Sequence, residues 1–240
     1  MAVERLDKLI SKILNISRND AKLLIKKGNV KIDGEIIKKS DIKCDTEKNQ
    51  IFVNDTACFY KQYRYIMMHK PSGVVCSTDD SDVNVIDILP DDLKCSGLFP
   101  VGRLDKDTTG LLIITNDGVF AHKVISPNKN LIKRYLADLA EPLDDDAINT
   151  LTSPMTLADG TVVKPAQIKV LSDDKMQIEI GIGEGKYHQV KRMLGAVNNR
   201  VVSLHRQSIG SLSLDSSLSV GECRELTQSE LDELLQNSDI

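Results

Sequence analysis

The six residues GLLIIT at positions 110–115 constrain the fold of this chain more than any other stretch. The run is apolar and partly β-branched, which predicts a buried strand. The turn residues Asn116, Asp117 and Gly118 come directly after it and predict a helix over 119–125 with Asp117 as its N-cap. A charged loop, a buried strand and a capped helix are therefore expected in direct succession.

Hairpin and helix patterns alternate along the rest of the chain. Strand patterns broken by turn residues predict hairpins over 29–39, 65–78 and 166–182. Helices are further predicted at 3–14, 17–27, 141–151 and 227–235, a turn followed by a helix at 184–197, and strands at 133–139 and 200–214. Such a mixture predicts an α+β fold with a mainly antiparallel sheet.

The first 59 residues are expected to form a small domain of two helices and a hairpin. Ser17 is placed to cap the second helix, with Asp20 three residues later, and Gly28 suits the position after its end. This segment carries a net charge of +3, whereas the whole chain carries −4. The predicted organisation is a domain at 1–59, a linker at 60–65 and a larger domain at 66–240.

The segments ERLDKLISKIL (4–14) and SRNDAKLLIKKGNVKIDGEII (17–37) resemble the S4 RNA-binding module. The resemblance implies a helical face that docks on structured RNA through phosphates and 2′-hydroxyls. The RNA-binding candidates in this module are its polar and basic residues Arg5, Ser17, Arg18, Lys22, Lys26 and Lys27.

The cysteines and histidines argue against a disulfide framework or a zinc site. Five cysteines and four histidines are scattered along the chain without a CxxC pair. The N-terminal residues include acids and lack the apolar stretch of a signal peptide, and no apolar run reaches membrane-spanning length. We therefore expect a soluble cytoplasmic protein without a metal.

Asp105, in the loop GRLDKDTTG before the apolar run, is the main candidate for chemistry. It could pair with Asp107 for glycosidase chemistry or a metal, although the two-residue spacing fits both poorly. It could also act as a lone nucleophile, with a cation such as Lys191 or Arg192 beside it and Tyr135 as a flat apolar face. Spacing alone leaves a turn or capping role for Asp105 open as well.

Four motifs in order resemble the RNA pseudouridine synthases of the RsuA type, over residues 66–230. They are HKPSGVVCST (69–78), GRLDKDTTGLLIITNDG (102–118), KRYLADL (133–139) and GEGKYHQVKRM (183–193). The segments YHQVKRM and LHRQSIG are most similar to the members of this family that modify the rRNA of the small ribosomal subunit. This implies uridine 516 of 16S rRNA as the target, with a 23S rRNA uridine as the alternative. The expected partner is 16S rRNA or an assembling small-subunit particle, and the protein is expected to be a monomer.

The resemblance also implies a role for each site residue. Asp105 would attack ribose C1′ or uracil C6, Tyr135 would stack on the extruded uracil, and Lys191 would pair with Asp105. Isomerisation of this kind requires no cofactor and no metal.

Further RNA contacts are expected from Lys70, Arg103 and Arg192. Thr108 and Thr109 are expected to hold the loop through their hydroxyls. The histidines are expected to be structural or RNA-contacting. The alternatives for the whole protein are a non-catalytic RNA-binding assembly factor and a hydrolase acting on sugars.

Overall fold

The computed structural model describes residues 3–46, 48–58, 61–77, 82–126 and 131–236. The chain divides into two compact units, one of residues 1–64 with 94–98 and one of 65–93 with 99–240. Residues 94–98, assigned above to the larger domain, thus pack with the first unit. The predicted boundaries at 59 and 66 stay a prediction.

The first unit contains two short helices and a small sheet. In its described residues the elements are β1 (Val3–Arg5), α1 (Leu6–Leu14), α2 (Arg18–Lys26), β2 (Val30–Ile32), β3 (Glu35–Ile36), β4 (Lys43–Asp45), β5 (Ile51–Val53) and β6 (Thr56–Cys58). Four strands form a sheet in the order β3-β2-β5-β6, and β1 pairs separately with β4. Apolar residues of both helices, among them Leu9 and Ile25, pack with Val30 and Val53 in one core.

The first helix begins later than its periodicity predicts. Residues 3–5 form β1, which pairs antiparallel with Lys43–Asp45, and only Leu6 begins α1. The backbone N–H of Leu6 donates to the carbonyl of Ile42 at 2.9 Å. The apolar spacing from Val3 onward fits a helix, but the backbone groups of residues 3–5 instead form hydrogen bonds with β4, about 40 residues away in sequence.

The ends of α2 confirm the predicted caps. The Ser17 hydroxyl accepts from the N–H of Asp20 and donates to its carboxylate. At the other end Gly28 has φ +82°, and its N–H donates to Ile25 while that of Asn29 donates to Leu24. These two bonds form a Schellman motif, which requires a residue such as glycine in the left-handed region.

The second unit is built on one large sheet with helices packed against it. In its described residues the elements are β7 (Tyr65–Lys70), β8 (Phe99–Pro100), β9 (Thr109–Thr115), α3 (Gly118–Ile125), β10 (Lys133–Leu139), α4 (Asp145–Leu151), β11 (Met155–Thr156), β12 (Val162–Val163), β13 (Gln167–Val170), β14 (Gln177–Ile182), α5 (Gln189–Ala196), β15 (Val201–Ile209), β16 (Leu212–Ser213), β17 (Cys223–Glu225) and α6 (Gln228–Gln236).

The main sheet has the strand order β13-β14-β10-β15-β9-β7-β17, with β16 paired to β15 and β8 to β9. All of these pairs are antiparallel except β15 with β9. Buried residues of β9 such as Leu111 and Ile113 pack with Phe120 of α3 and Leu234 of α6. The predicted α+β class and the mainly antiparallel sheet are confirmed.

The predicted buried strand and its capped helix are confirmed. Residues 110–115 lie within β9, and all of them are buried. The Asp117 carboxylate accepts from the N–H groups of Val119 and Phe120 at 2.9 and 3.1 Å. The hydroxyl of Tyr65 donates to the same carboxylate at 2.8 Å, which joins the cap to β7. None of the helices in the described ranges is long and apolar enough to cross a membrane.

The hairpin predicted over 65–78 is only half present. Tyr65–Lys70 forms β7, but in the described residues that follow only Val75 makes a bridge, to Asn84. After Pro71 the chain turns toward the Asp105 loop, where the N–H of Gly73 donates to the carbonyl of Lys106 at 2.8 Å. Thr78 lies outside the described residues.

Gly110 is a position where only glycine fits, because β9 and β15 approach closely there. Its φ is +104°, and a Cβ atom would lie 2.3 Å from the carbonyl oxygen of Arg206. We expect Gly110→Ala to lower the free energy of unfolding by about 3 kcal/mol, since backbone atoms must shift. Chemical denaturation monitored by circular dichroism measures this.

Gly195→Ala is the matched control. Gly195 lies in α5, and a Cβ there meets no atom within 4 Å. That change should raise stability by roughly 0.5–1 kcal/mol through helix propensity. Equal effects of the two substitutions would contradict the close approach described for Gly110.

Candidate active site

Three parts of the second unit converge on one cavity. The loop between β8 and β9 supplies Asp105, β10 supplies Tyr135, and the first turn of α5 supplies Lys191. The cavity is also lined by Arg103, Leu104, Thr108, Ile182, Gly185, Lys186, His188, Gln189, Val190 and Leu204. The structure thus brings together the three side chains to which the sequence analysis assigned catalysis.

The Lys191 ammonium lies between two carboxylates. Its Nζ is 3.2 Å from Oδ2 of Asp105 and 2.6 Å from Oδ1 of Asp107. Burial lowers the pKa of Lys191, but the two carboxylates outweigh burial and raise that pKa. The hydrogen bond from Lys191 lowers the pKa of Asp107. The two-residue spacing fitted glycosidase or metal chemistry with Asp107 poorly, yet Asp107 shares the cation with Asp105.

His188 is a neighbour of Asp105 that the sequence analysis did not single out. Its Nε2 lies 3.4 Å from Oδ1 of Asp105, whereas Lys191 contacts Oδ2. Its ring stacks on that of Tyr187, with centroids 3.9 Å apart. The only signal in the sequence is its position three residues before Lys191, which becomes meaningful once α5 is seen to begin between them.

Tyr135 is held on the buried face of β10. It pairs with Arg206 of β15, and both residues are less than one tenth exposed. The Nε of Arg206 donates to the carbonyl of Leu111 at 2.8 Å, whereas its Nη2 has no hydrogen-bond partner among the described residues. Burial, together with repulsion from Arg206, lowers the pKa of Lys133. Lys133, Tyr135 and Arg206 line the same pocket, so Tyr135 lies near two basic side chains.

Lys70 does not have the role that the sequence predicted. Its side chain is 0% exposed, so it cannot lie on the edge of an RNA-binding cleft. Its ammonium donates to the carbonyls of Pro71, Lys106 and Thr108 at 2.9, 3.3 and 3.0 Å. Burial lowers the pKa of Lys70, while Asp107 and Asp105 oppose this. Lys70 fixes the backbone of the Asp105 loop.

The two arginines of the predicted RNA contacts differ in their surroundings. Arg103 is exposed and lines the cavity of Asp105. Arg192 forms an ion pair with Asp159 and donates to the carbonyl of Tyr187. The alternative in which Arg192 pairs with Asp105 is therefore not what the structure shows.

The two loop threonines also differ. The Thr109 hydroxyl lies 3.0 Å from Nδ1 of His205, which ties the loop to β15 as expected. The Thr108 hydroxyl is buried and has no hydrogen-bond partner among the described residues, so the same expectation is wrong for Thr108. Thr108 instead contributes its backbone, because its N–H donates to the carbonyl of Asp105 at 3.1 Å.

The candidates in the first unit fall into two groups. Arg5 and Arg18 both donate to the fully buried carboxylate of Asp7, with N–O distances of 3.0–3.2 Å. Burial raises the pKa of Asp7, but the two guanidinium groups outweigh burial and lower that pKa. The second group consists of lysines that are exposed on or just after α2, namely Lys22, Lys26 and Lys27. Ser17 is occupied as the N-cap of α2.

Metal ligands do not cluster in the part of the chain that the structure describes. No group of three or more histidine, cysteine, aspartate or glutamate side chains there could hold an ion.

We expect Lys70→Met to destabilise the second unit by roughly 3 kcal/mol, because three loop carbonyls lose their buried donor. Lys106→Met is the matched control, since that side chain is exposed and forms a surface ion pair with Asp82. It should cost less than about 1 kcal/mol. Thermal and chemical unfolding of both variants test this, and equal stabilities would contradict the anchoring role of Lys70.

Comparisons with known proteins bear on the two resemblances that the sequence shows. A family model described as RNA pseudouridylate synthase matches residues 64–196, and an S4 domain model matches residues 4–48. The ribosomal small subunit pseudouridine synthase A of Haemophilus influenzae is 39% identical over 97% of this chain and 100% of its own length. An uncharacterized RNA pseudouridine synthase of Bacillus subtilis is 41% identical over 95% of this chain and 96% of its own.

A solved crystal structure of a pseudouridylate synthase is similar to the whole chain. The TM-score is 0.68 at 38% sequence identity, and the match covers 96% of this chain and 99% of the other. The resemblance that the four motifs indicated is confirmed. The chain therefore belongs to the RNA pseudouridylate synthase family of isomerases, and an S4 domain precedes its synthase domain.

Proposed function

We propose that this protein converts uridine 516 of 16S rRNA to pseudouridine, with Asp105 as the nucleophile. The observation that carries the proposal is the cavity in which Asp105, Lys191 and Tyr135 meet. The relatives named ribosomal small subunit pseudouridine synthase A support a small-subunit rRNA as the substrate.

The surroundings of Asp105 suit a carboxylate that attacks carbon. Lys191 and His188 contact one oxygen each, which fixes the plane of the carboxylate. Lys70 holds the loop backbone by hydrogen bonds to two of its carbonyls. The Asp105 carboxylate therefore needs little reorganisation before it reacts. The Asp105 side chain remains 24% exposed, which leaves room for a substrate carbon to approach.

The reaction breaks one bond to the base and forms another. If Asp105 attacks ribose C1′, it displaces N1, the base rotates, and the C1′–O bond to Asp105 breaks when C5 attacks C1′. If Asp105 instead adds to uracil C6, the N1–C1′ bond breaks, the base rotates, and the C6–O bond to Asp105 breaks after C5 has bonded to C1′. In both cases the proton on C5 is lost and N1 takes up a proton, so the product has the mass of the substrate. Tyr135 provides a flat face on which the freed uracil can stack while it turns.

The cations around the site suit an RNA substrate. Lys133 and Arg206 lie beside Tyr135, and Arg103 is exposed at the mouth of the cavity. In the first unit, Lys22 and Lys26 are exposed one helical turn apart on α2. Cations in such positions attract phosphates without reading sequence.

Asp105 and Asp107 provide a matched pair for testing the nucleophile. Asp105→Asn should lower the rate of pseudouridine formation by at least about 10⁴-fold, because an amide cannot attack carbon. Asp107→Asn should lower it by roughly 10-fold or less, since Lys191 still pairs with Asp105. Nucleoside analysis of a digested 16S rRNA fragment by mass spectrometry measures both rates.

The affinity of the fragment for both variants serves as the control and should change less than about 3-fold. An active Asp105→Asn variant would remove Asp105 from the mechanism. Pseudouridine at a 23S rRNA position instead would retain the mechanism and change the target. Release of free uracil or ribose would indicate hydrolysis.

The exposed lysines on and just after α2 should contribute to RNA affinity through their charge. Replacing Lys22, Lys26 and Lys27 together by glutamine should weaken binding and make it less dependent on salt. If each lysine neutralises one phosphate, the slope of log K against log salt falls by about 2–3. Filter binding at several salt concentrations gives this slope.

A second triple variant in the same unit removes the same charge at exposed positions. It replaces Lys38, Lys39 and Lys43, which lie on or near β3 and β4 rather than on α2. Its slope should change by less than 1. Equal slopes for the two triple variants would show that charge alone, and not the α2 surface, supports binding.

A further inference from the structure

Tyr187 and His188 form a pair of stacked rings beside Asp105. Their centroids are 3.9 Å apart and the ring planes differ by 17°. Tyr187 is 74% exposed, more than any other large apolar or aromatic side chain among the described residues. The outer face of its ring is therefore open to a flat ligand.

The backbone at His188 adopts a strained conformation that holds this ring pair. His188 has φ +48° and ψ +34°, a left-handed conformation that residues other than glycine adopt infrequently. His188 occupies the N-cap position of α5, yet its side chain does not cap the helix. The carbonyl of Tyr187 accepts a hydrogen bond from Arg192 Nη1 at 3.1 Å, which fixes the backbone of Tyr187. The strained conformation thus directs the imidazole toward Asp105 and beneath Tyr187.

The ring pair is continuous with the candidate active site. Both residues line a cleft with Asp105, and His188 contacts the Asp105 carboxylate at 3.4 Å. The basic side chains of Arg103, Lys106 and Lys186 line the same cleft. An exposed aromatic face among cations is the combination with which proteins bind single-stranded nucleic acid.

We propose that Tyr187 is a stacking platform for the base next to the target uridine. The inference rests on the proposed function, because it requires an RNA whose uridine enters the Asp105 cavity. Extruding that uridine removes a stacking partner from its neighbour, and an exposed ring at the cavity entrance replaces this partner. Tyr135 cannot serve both bases, since it is buried within the cavity.

Fluorescence of 2-aminopurine tests this directly, because the base loses emission when it stacks. Two 16S rRNA fragments carry it on the 5′ or the 3′ side of uridine 516. Each is bound to proteins with Tyr, Phe or Leu at position 187, all in an Asp105→Asn background that keeps the RNA unmodified. Tyr187→Phe retains a ring, whereas Tyr187→Leu retains only apolar volume.

We expect quenching at one of the two positions with Tyr and Phe, and its loss with Leu. The Leu variant should also bind the fragment about 5- to 150-fold more weakly, the range expected for one stacked base. Unchanged quenching and affinity in the Leu variant would overturn the proposal. Weaker binding with unchanged quenching at both positions would also overturn it, since Tyr187 would then contact RNA elsewhere.

Pseudouridine formation in the unlabelled fragment is measured with Asp105 and Tyr187 intact. Its absence would overturn the proposed function and the platform together. Its presence, combined with an unaffected Leu variant, would overturn only the platform. Circular dichroism of the three proteins should be identical, because the Tyr187 side chain is exposed.

Discussion

The site depends on the hydrogen bonds that the buried ammonium of Lys70 donates to backbone carbonyls. A charge without solvent is costly unless hydrogen bonds replace its hydration, and here three backbone carbonyls do so. Two of those carbonyls belong to Lys106 and Thr108, which flank Asp107 in the loop. Because β7 and β9 are paired strands, the side chain of one fixes the loop that leads into the other. The position of Asp105 is thus set by the sheet itself.

Three basic side chains lie near the Asp105 loop and Tyr135. Lys70 and Arg206 are buried, and Lys133 is partly buried. Burial lowers the pKa of both lysines, and repulsion from Arg206 lowers both further. The carboxylates of Asp105 and Asp107 share a fourth cation, the ammonium of Lys191. Such a concentration of positive charge near the site is well suited to an anionic substrate.

Buried charge also organises the first unit, on a smaller scale. The carboxylate of Asp7 holds Arg5 and Arg18 from the starts of α1 and α2. These arginines were predicted to bind RNA, and they remain about half exposed. Their guanidinium groups therefore support the helix pair while still presenting charge to solvent, whereas the lysines of α2 present charge alone.

The sequence by itself determined the local elements, the caps and the order of the motifs, because these depend on residues within a few positions of one another. It predicted β9, the Asp117 and Ser17 caps, and the hairpin of β13 and β14. Only the tertiary structure decided that residues 3–5 form a strand, that Lys70 points inward and that His188 touches Asp105. Each of these depends on partners tens of residues away, where periodicity carries no information and burial decides the role of a charge.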